Sequence, residues 1–183
     1  MVKKVDISLE WAYRLLHPSL TVLASCTDSS GKINIITLAW AMPVSLKPPL
    51  IVVSIAPKRH SHKLIEETEE FVINIPTMDI VKKVLYCGKV SGRKADKFKE
   101  ANLTPLPAKR VRSPIINECI GHLECNLYKK VPAGDHTLFI GRIVAAYVNE
   151  GTFTGTFDTK KVKLIYHLGG DKFTTTSGEV IVP

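Results

Sequence analysis

Runs of apolar residues punctuated by turn residues are the strongest pattern in this chain, and they predict mainly strands. Residues 50–56 are apolar on both faces, which suits a strand in the interior of a sheet or barrel. Shorter apolar runs predict further strands over residues 20–26, 32–40, 71–75, 119–131, 137–148, 163–166 and 178–182. Strands therefore dominate both halves of the chain.

Helical patterns interrupt the strands in four places. Short helices are predicted over residues 9–16, 61–69, 77–88 and 95–101. Pro18 follows the first helix and Gly88 ends the third. Ser61 and Thr77 are predicted N-caps, because a hydroxyl can accept a bond from the first turn. The pattern predicts a mainly β (α+β) fold with a few peripheral helices, in a single domain over residues 1–183.

A candidate anion-binding corner follows the apolar strand directly. Lys58 and Arg59 precede the helix that begins near Ser61, so basic side chains meet free N–H groups and the positive end of the helix dipole. Such a point suits a phosphate monoester. The alternative is an ordinary basic loop followed by a capped helix, and the corner alone does not decide between them.

The net charge of +8 is concentrated in one stretch. Residues 82–112 contain ten Lys or Arg against two acidic residues, whereas the rest of the chain has 15 charges of each sign. A basic stretch attracts phosphate-bearing cofactors, dinucleotides or nucleic acid. Only Tyr86 and Phe98 offer rings for base stacking there, which argues against nucleic acid.

Several functional classes lack their sequence signals. No apolar run approaches the roughly 20 residues of a membrane span, and the N-terminus has no signal-peptide pattern, so we expect a cytoplasmic protein without a membrane partner. Nucleophile-elbow, HExxH and glycine-rich dinucleotide motifs are missing. We expect the four cysteines to be reduced, and a redox role for Cys87, close to a predicted helix end, stays open.

A zinc site is the tempting interpretation of Cys119, His122 and Cys125. Along a strand, however, Cys119 and Cys125 point to one face and His122 to the other. Three ligands would also fall short of a closed structural zinc site. We therefore predict no metal site.

Three segments occur in an order typical of one protein family. They read NIITLAWAMPVSLKPPLIVVSIAPKRHSH over 34–62, CGKVSGRKADKF over 87–98 and GDHTLFIGRIV over 134–144. Over residues 10–170 the chain thus resembles the flavin reductase-like family of FMN-binding split barrels. That family includes flavoredoxins, ferric reductases and the reductase components of two-component monooxygenases.

The resemblance implies an FMN-binding split β-barrel that acts as an NAD(P)H-dependent oxidoreductase. Hydride or electrons would pass from NADH or NADPH through FMN to an unknown acceptor, such as free flavin, ferric complexes or a partner protein. It also implies a homodimer with FMN near the subunit interface. Two alternatives stay open: a non-catalytic FMN electron carrier, and a flavin-free barrel that binds an anion or nucleic acid.

The resemblance also implies which residues meet the cofactor. The isoalloxazine edge, the ribityl chain and the phosphate are assigned in turn to Asn34, Thr37, Trp40, Ala41, Ser54, Ile55, Arg59, Ser61, Ser91 and Lys97. Trp40 can instead be a core aromatic, and Ser54 can bond within its own strand. His136 is assigned to the nicotinamide or substrate side of the flavin as the catalytic residue, although it can equally fix the Gly-Asp-His turn.

Overall fold

A seven-stranded antiparallel sheet is the centre of this computed structural model, which describes residues 2–182. The described chain contains twelve strands: β1 (Ser19–Leu20), β2 (Val22–Thr27), β3 (Ile33–Leu38), β4 (Ala41–Ser45), β5 (Leu50–Ile55), β6 (Glu70–Ile75), β7 (Pro105–Leu106), β8 (Ile115–Ile116), β9 (Gly121–Ala133), β10 (His136–Val148), β11 (Tyr166–Gly169) and β12 (Lys172–Thr174). The large sheet has the order β3-β2-β6-β9-β10-β5-β4. The prediction of a mainly β fold is confirmed.

Helices are short and lie outside the sheet. The α-helices are α1 (His60–Thr68), α2 (Val81–Lys89) and α3 (Lys97–Glu100), and 3-10 helices cover Leu9–Leu16 and Met78–Ile80. Within residues 2–182, no helix has the length and apolar character needed to cross a bilayer. The helices instead cover the sheet and connect its strands.

The long hairpin of β9 and β10 organises the sheet. β10 pairs with β5 on its other side, so that Phe139 lies opposite Val53, and β9 pairs with β6. Phe139, Val53 and Phe71 are fully buried in the largest apolar cluster. Gly141 makes this packing possible, because a Cβ there would lie 2.5 Å from the Phe71 ring. The apolar run at 50–56 is thus an interior strand, as predicted.

A second apolar cluster lies between the sheet and the helices α2 and α3. Its fully buried members include Leu23, Ile35 and Val84, with Phe98 from α3. Apolar burial of this kind stabilises a fold by about 25 cal/mol per Å² of surface removed from water. The cluster holds α2 against β3, which is the contact that positions the site described below.

Glu124 on β9 is a fully buried carboxylate, and other groups of the protein donate hydrogen bonds to it. It accepts hydrogen bonds from the backbone N–H groups of Lys109, Arg110 and Val111 at 2.8, 2.6 and 3.2 Å, and from the Tyr147 hydroxyl at 2.9 Å. Burial alone would raise the pKa of Glu124, but these hydrogen bonds outweigh it and lower the pKa below its usual value. Glu124 therefore anchors the preceding loop as a charged group.

Asn74 on β6 is the centre of a second buried polar network. Its amide donates to the Ser25 hydroxyl at 3.0 Å and to the Leu23 carbonyl at 3.2 Å. Its oxygen accepts from the Ile116 N–H at 3.0 Å and lies 2.8 Å from Nδ1 of His122. Burial lowers the pKa of His122 to about 4, so this imidazole is neutral at pH 7.

The predicted N-cap of α1 was wrong. The helix begins at His60 with Arg59 at the N-cap, and no side chain makes a capping bond there. Ser61 lies one residue inside the helix and is 1% exposed. Its hydroxyl accepts a hydrogen bond from the side-chain amide of Asn34 at 2.7 Å. The hydroxyl that was predicted to cap the helix therefore bonds a residue that is distant in the sequence.

Strand predictions were least accurate in the last fifth of the chain. The predicted strand over 178–182 is wrong, because these residues form no strand and the valines at its end are exposed. Residues 163–166 contribute only the start of β11, and β12 was missed. β4 was also missed, since the exposed residues of this edge strand show no buried face.

A small sheet joins the two ends of the described chain. β1 pairs with β11, and β11 pairs with β12. Ser19 lies opposite His167, which brings the residues just before β1 against the β11–β12 hairpin. This pairing is what adds N-terminal and C-terminal side chains to the site.

Candidate functional site

Three adjoining cavities lie between β3, β5, α2 and the β11–β12 hairpin, and Arg59 and Gly88 line all of them. The basic cavity (about 220 Å³) is lined by Asn34, Arg59, His60, Ser61, Ser91 and Lys97. The aromatic cavity (about 230 Å³) is lined by Tyr13, His17, Thr37, Trp40, Ser54 and His136. The hairpin cavity (about 260 Å³) is lined by Thr21, Val84, Leu85, Lys89, His167 and Phe173.

The basic cavity forms where β5 leads into α1. Arg59 has extended backbone angles at the helix N-cap, so the first N–H groups of α1 have no partners within the helix. The guanidinium of Arg93 donates to the Lys58 carbonyl at 3.0 Å and brings a second cation to this corner. Cationic side chains and a helix N-terminus therefore meet at one place, which favours a bound anion.

Asn34 and Ser61 form the buried floor of the basic cavity. Their side-chain hydrogen bond of 2.7 Å links β3 to the first turn of α1. Gly92 lies directly over this pair, because a Cβ on Gly92 would approach the Asn34 oxygen to 1.9 Å. Only glycine permits the 91–93 loop to lie this close to the floor.

Lys97 is buried in the same wall, with 6% of its surface exposed. Its ammonium donates to the carbonyls of Ile35 and Cys87, both at 2.7 Å, and so connects β3 to α2. Burial lowers the pKa of Lys97 from its usual value. Lys97 lines the basic cavity and holds its walls together.

Rings from three separate segments surround the aromatic cavity. The Trp40 ring lies 4.9 Å from the His136 ring and 5.6 Å from the Tyr13 ring. Tyr13 also contacts His17, with ring centroids 5.8 Å apart. Such flat, partly exposed surfaces suit a planar ligand. The Thr37 hydroxyl bonds the Val84 carbonyl at 2.6 Å, which fixes the edge of β3 against α2.

His136 stands at the start of β10 beside an exposed carboxylate. Nδ1 of His136 lies 2.7 Å from Oδ1 of Asp135, and this contact lowers the pKa of Asp135. The bond orients the imidazole through a side chain and leaves Nε2 available. His136 is therefore held in place at the mouth of the aromatic cavity.

Four side chains of the cavities contain buried polar atoms without a hydrogen-bond partner in the described chain. They are both ring nitrogens of His17, Oγ1 of Thr21, Nδ1 of His60 and Nδ1 of His167. An unpaired buried polar group costs about 1–3 kcal/mol, so groups of this kind usually have a partner. Their concentration around the three cavities is what a ligand site with polar contacts requires, and it fits a large polar cofactor.

The predicted cofactor-binding residues come together here with one exception. Thr37, Trp40, Ser54, Ile55 and His136 line the aromatic cavity, and the remaining assigned residues line the basic cavity. Ala41 instead packs against the main apolar cluster. Sequence reasoning missed Tyr13, His17, Thr21 and His167, because nothing local indicates that β1 pairs with β11.

The cysteines lie apart from this polar chemistry. Cys87 is fully buried, and burial raises its pKa to about 11, so the thiolate is disfavoured at neutral pH. Cys119 and Cys125 belong to different apolar clusters, and His122 bonds Asn74. Within residues 2–182, no group of three or more His, Cys, Asp or Glu side chains is arranged to hold a metal ion.

Comparison with known proteins identifies the family. The profile of the flavin reductase like domain matches residues 14–173. The chain belongs to the flavin reductase-like family. The resemblance drawn from the sequence segments is thereby confirmed, and this flavin reductase-like chain carries the matched domain over most of its length.

Individual relatives share this family and fold. An uncharacterised protein of Archaeoglobus fulgidus is 38% identical over 168 residues, or 92% of this chain and 94% of that protein. The reductase component of a Rhizobium FADH(2)-dependent resorcinol hydroxylase is 27% identical over 140 residues, 76% and 75% of the two chains. The structure of Methanosarcina acetivorans flavoredoxin gives a TM-score of 0.88 at 27% identity, covering 99% and 95%. The predicted split β-barrel is confirmed.

Proposed function

We propose that this flavin reductase-like chain binds FMN and passes a hydride or electrons from NADH or NADPH through it to an acceptor. One observation carries the proposal: a basic cavity at a helix N-terminus continues into an aromatic cavity, and buried polar atoms around both lack partners. A phosphate on a polar chain attached to a flat ring matches this sequence of environments. The relationship to a flavoredoxin and to a reductase component supports it.

The residues that would hold FMN divide by cavity. In the basic cavity, Arg59, His60 and the first amides of α1 would bind the phosphate, and Lys97 would keep the surrounding walls in place. In the aromatic cavity, Ser54 is placed for the ribityl chain and Trp40 for the ring. Bound FMN would supply the redox chemistry. The protein would contribute orientation, exclusion of water and the imidazole of His136.

The alternative is an FMN carrier that a protein partner reduces and that never binds a nicotinamide. His136 favours the enzyme, because its ring meets Trp40 at the open side of the aromatic cavity, where a second substrate would enter. The two functions differ in one measurable respect. The enzyme oxidises NADH or NADPH without a partner, whereas the carrier does not.

We also propose that the chain forms a homodimer with FMN near the interface. Apolar side chains are exposed on the 3-10 helix that precedes β1 and around the edge strand β4, where Leu16 and Leu46 are 81% and 89% exposed. Tyr13 and Trp40 connect this apolar surface to the aromatic cavity. Burying such a surface against a second copy would remove it from water and cover the open edge of β4.

Absorbance of the flavin tests the proposal. Purified protein is mixed with FMN, passed through a gel-filtration column and recorded between 300 and 600 nm, before and after anaerobic NADH or NADPH. Retained flavin that bleaches supports the enzyme. Retained flavin that does not bleach supports the carrier, and no retention contradicts both.

An Arg59→Ala variant tests the phosphate assignment. Loss of a charge-assisted bond of about 1.5–3 kcal/mol should weaken FMN binding roughly 10- to 100-fold. Lys63→Ala, which removes an exposed cation from the same helix, is the matched control and should bind FMN like the wild type. Equal FMN affinity of the Arg59→Ala variant and the wild type would contradict the assignment.

A further inference from the structure

A hydrogen-bonded chain of four side chains connects α1 to the strand that carries His136. They are Lys130 of β9, Glu66 and His62 of α1, and Thr137 of β10. His62 and Thr137 are 7% and 8% exposed, and neither lines any of the three cavities. The function proposed above gives these side chains no part, so their contacts need a separate explanation.

The direction of each bond in this chain follows from its chemistry. Lys130 donates to one oxygen of Glu66 at 2.9 Å, which lowers the pKa of that carboxyl and keeps it charged. The other oxygen lies 3.3 Å from Nδ1 of His62. A carboxylate only accepts, so Nδ1 carries a proton. Nε2 of the neutral ring then accepts from the Thr137 hydroxyl at 2.9 Å, and the imidazole is held on both sides.

Carboxylate, imidazole and hydroxyl also occur in this order in hydrolases, where the hydroxyl is the nucleophile. A nucleophile must be reached by its substrate, whereas Thr137 is buried and lies outside the three cavities. The His62 ring packs edge-on against the fully buried Phe139, with ring centroids 4.9 Å apart. These bonds therefore hold elements together and do not attack a ligand.

The bond between His62 and Thr137 closes the strand–helix junction that contains Arg59. At the base of this junction, Thr137 lies opposite Ile55, the last residue of β5. At its far end, His62 in the first turn of α1 bonds the side chain of the same threonine. Residues 56–61 are thus fastened at both ends to one residue of β10. This limits the positions open to Arg59 and to the first amides of α1.

Thr137 also determines where His136 lies. The two residues are neighbours at the start of β10, and the His136 ring is 4.9 Å from the Trp40 ring. Because a planar peptide bond joins them, a shift of the backbone at Thr137 moves His136 as well. One buried hydroxyl therefore fixes both the junction that contains Arg59 and the imidazole at the mouth of the aromatic cavity.

We propose that His62 is a positioning residue that acts through Thr137 and holds the phosphate-binding end of α1 and His136 in a fixed relation. This inference rests on the proposed function, since only the flavin reaction gives Arg59 and His136 their roles. The network is complete within the chain itself. The cofactor-free protein should therefore already show the coupling between its two ends.

Nuclear magnetic resonance of the cofactor-free protein tests the link from β10 to α1. Thr137→Val removes the hydroxyl at nearly constant volume, Thr137→Ser retains it, and the reporter is the backbone N–H signal of His60, which is distant in sequence. Thr68→Val is the matched control. Thr68 is a buried threonine of the same helix, but its hydroxyl bonds the Leu64 carbonyl at 2.9 Å.

A second variant tests the link in the opposite direction. Glu66→Ala removes the carboxylate that holds Nδ1 of His62, and the reporter is the Cε1–H signal of the His136 ring. Glu66 is partly exposed, so this variant should fold even if Thr137→Val does not. Glu67→Ala is its control, because it removes the same charge from the next residue, whose carboxylate bonds the Ser29 N–H at 3.0 Å.

We expect Thr137→Val to shift the His60 signal and Glu66→Ala to shift the His136 signal. Thr137→Val should also raise the Kd for FMN about two- to tenfold, as the loss of one net hydrogen bond predicts. Thr137→Ser and both controls should match the wild type in these signals and in FMN affinity. Rescue by serine distinguishes a role of the hydroxyl from one of packing. A test variant that leaves its reporter unmoved, or a control that moves it as far, overturns the proposal.

The design separates this inference from the proposed function. FMN retention is measured on every variant after the spectra. A wild type that retains no FMN would overturn the proposed function, while the signals of the cofactor-free chain would still decide the coupling. Retention of FMN together with an unmoved reporter in either test variant would overturn the positioning role of His62 alone.

Discussion

Two sets of buried polar groups in this molecule differ in how they are satisfied. Inside the sheet, Glu124 and Asn74 receive their hydrogen bonds from backbone and side chains of the chain itself. Around the cavities, His17, Thr21 and His167 keep atoms that have no partner in the described chain. Burying either set removes polar groups from water, which costs free energy. Only in the first set do hydrogen bonds formed during folding offset that cost.

The difference separates a role in stability from a role in binding. A network completed by the protein should lower the stability of the fold when one member is removed. Removing a group that is unpaired until a ligand binds should change the free energy of unfolding little. It should instead weaken the affinity for the ligand. Paired groups such as Glu124 and unpaired groups such as Thr21 should thus respond in opposite ways to similar substitutions.

The largest effect is expected for Glu124→Gln. This change keeps the volume but replaces one acceptor oxygen, close to three backbone N–H groups, by a donor. We expect a loss of about 3 kcal/mol in unfolding free energy, measured by urea denaturation, with FMN binding retained. Glu118→Gln, which alters a carboxylate bonded to Thr104, is the control and should cost less than about 1 kcal/mol. Similar losses in the two variants would contradict the comparison.

Acid should weaken the Asn74 network through His122. The pKa of His122 in the fold is about 4, below its usual 6.5, because burial disfavours the charged ring. The unfolded chain therefore binds the proton first, so the contribution is complete above pH 6.5 and is lost as the pH falls towards 4. We expect up to about 3 kcal/mol of lost stability across this window. Urea unfolding of wild type and His122→Gln at several pH values should show a flatter profile for the variant.

Gly92→Ala addresses a packed part of the site. The new Cβ would lie 1.9 Å from the Asn34 oxygen, so either the 91–93 loop or the Asn34–Ser61 bond must move. We expect a loss of about 1–3 kcal/mol in stability and weaker FMN binding. Gly134→Ala has nothing within 4 Å of its Cβ and should leave FMN affinity unchanged, although its positive φ of 60° adds local strain. Unfolding curves and FMN titrations of both variants provide the check.

Thr21→Val should have the smallest effect on the fold, and of opposite sign. Replacing a buried hydroxyl that has no partner by a methyl group removes a desolvation cost, so ligand-free stability should stay the same or rise by up to about 1 kcal/mol. Ser25→Ala is the paired counterpart, because its hydroxyl bonds Asn74, and it should lose about 1 kcal/mol. A larger loss in Thr21→Val than in Ser25→Ala would show that Thr21 has a structural role.

The parts of the site that the sequence revealed are those that lie close together along the chain. Lys58, Arg59 and Ser61 occupy one strand–helix junction, and the apolar run before them marks its strand. Even there the details needed the structure, since Ser61 bonds Asn34 and does not cap the helix. The periodicity of apolar residues predicts which face of an element is buried. It does not predict which distant residue forms a hydrogen bond with a side-chain hydroxyl such as that of Ser61.

Contacts between distant segments explain what was missed. Lys97 was expected to close over a phosphate, yet its ammonium bonds two backbone carbonyls that no sequence pattern connects to it. His17 and His167 meet only because β1 pairs with β11, and both strands are too short to give a clear signal. Edge strand β4 escaped for a related reason, because its exposed residues lack alternation. The pattern of neighbouring residues does not show which distant strands pair with each other.

The pairing of β1 with β11 also sets an order of assembly during translation. The groups of the basic cavity all lie between residues 34 and 97, so the ribosome releases them before it releases β11 and β12. β11 and β12 are the last strands to emerge, and His17 has no contact with His167 until they do. In a nascent chain the residues of the basic cavity are therefore available first, and the side of the aromatic cavity formed by His17 and His167 is completed last. The complete cavity wall that would contact a cofactor therefore exists only after β12 has been synthesised.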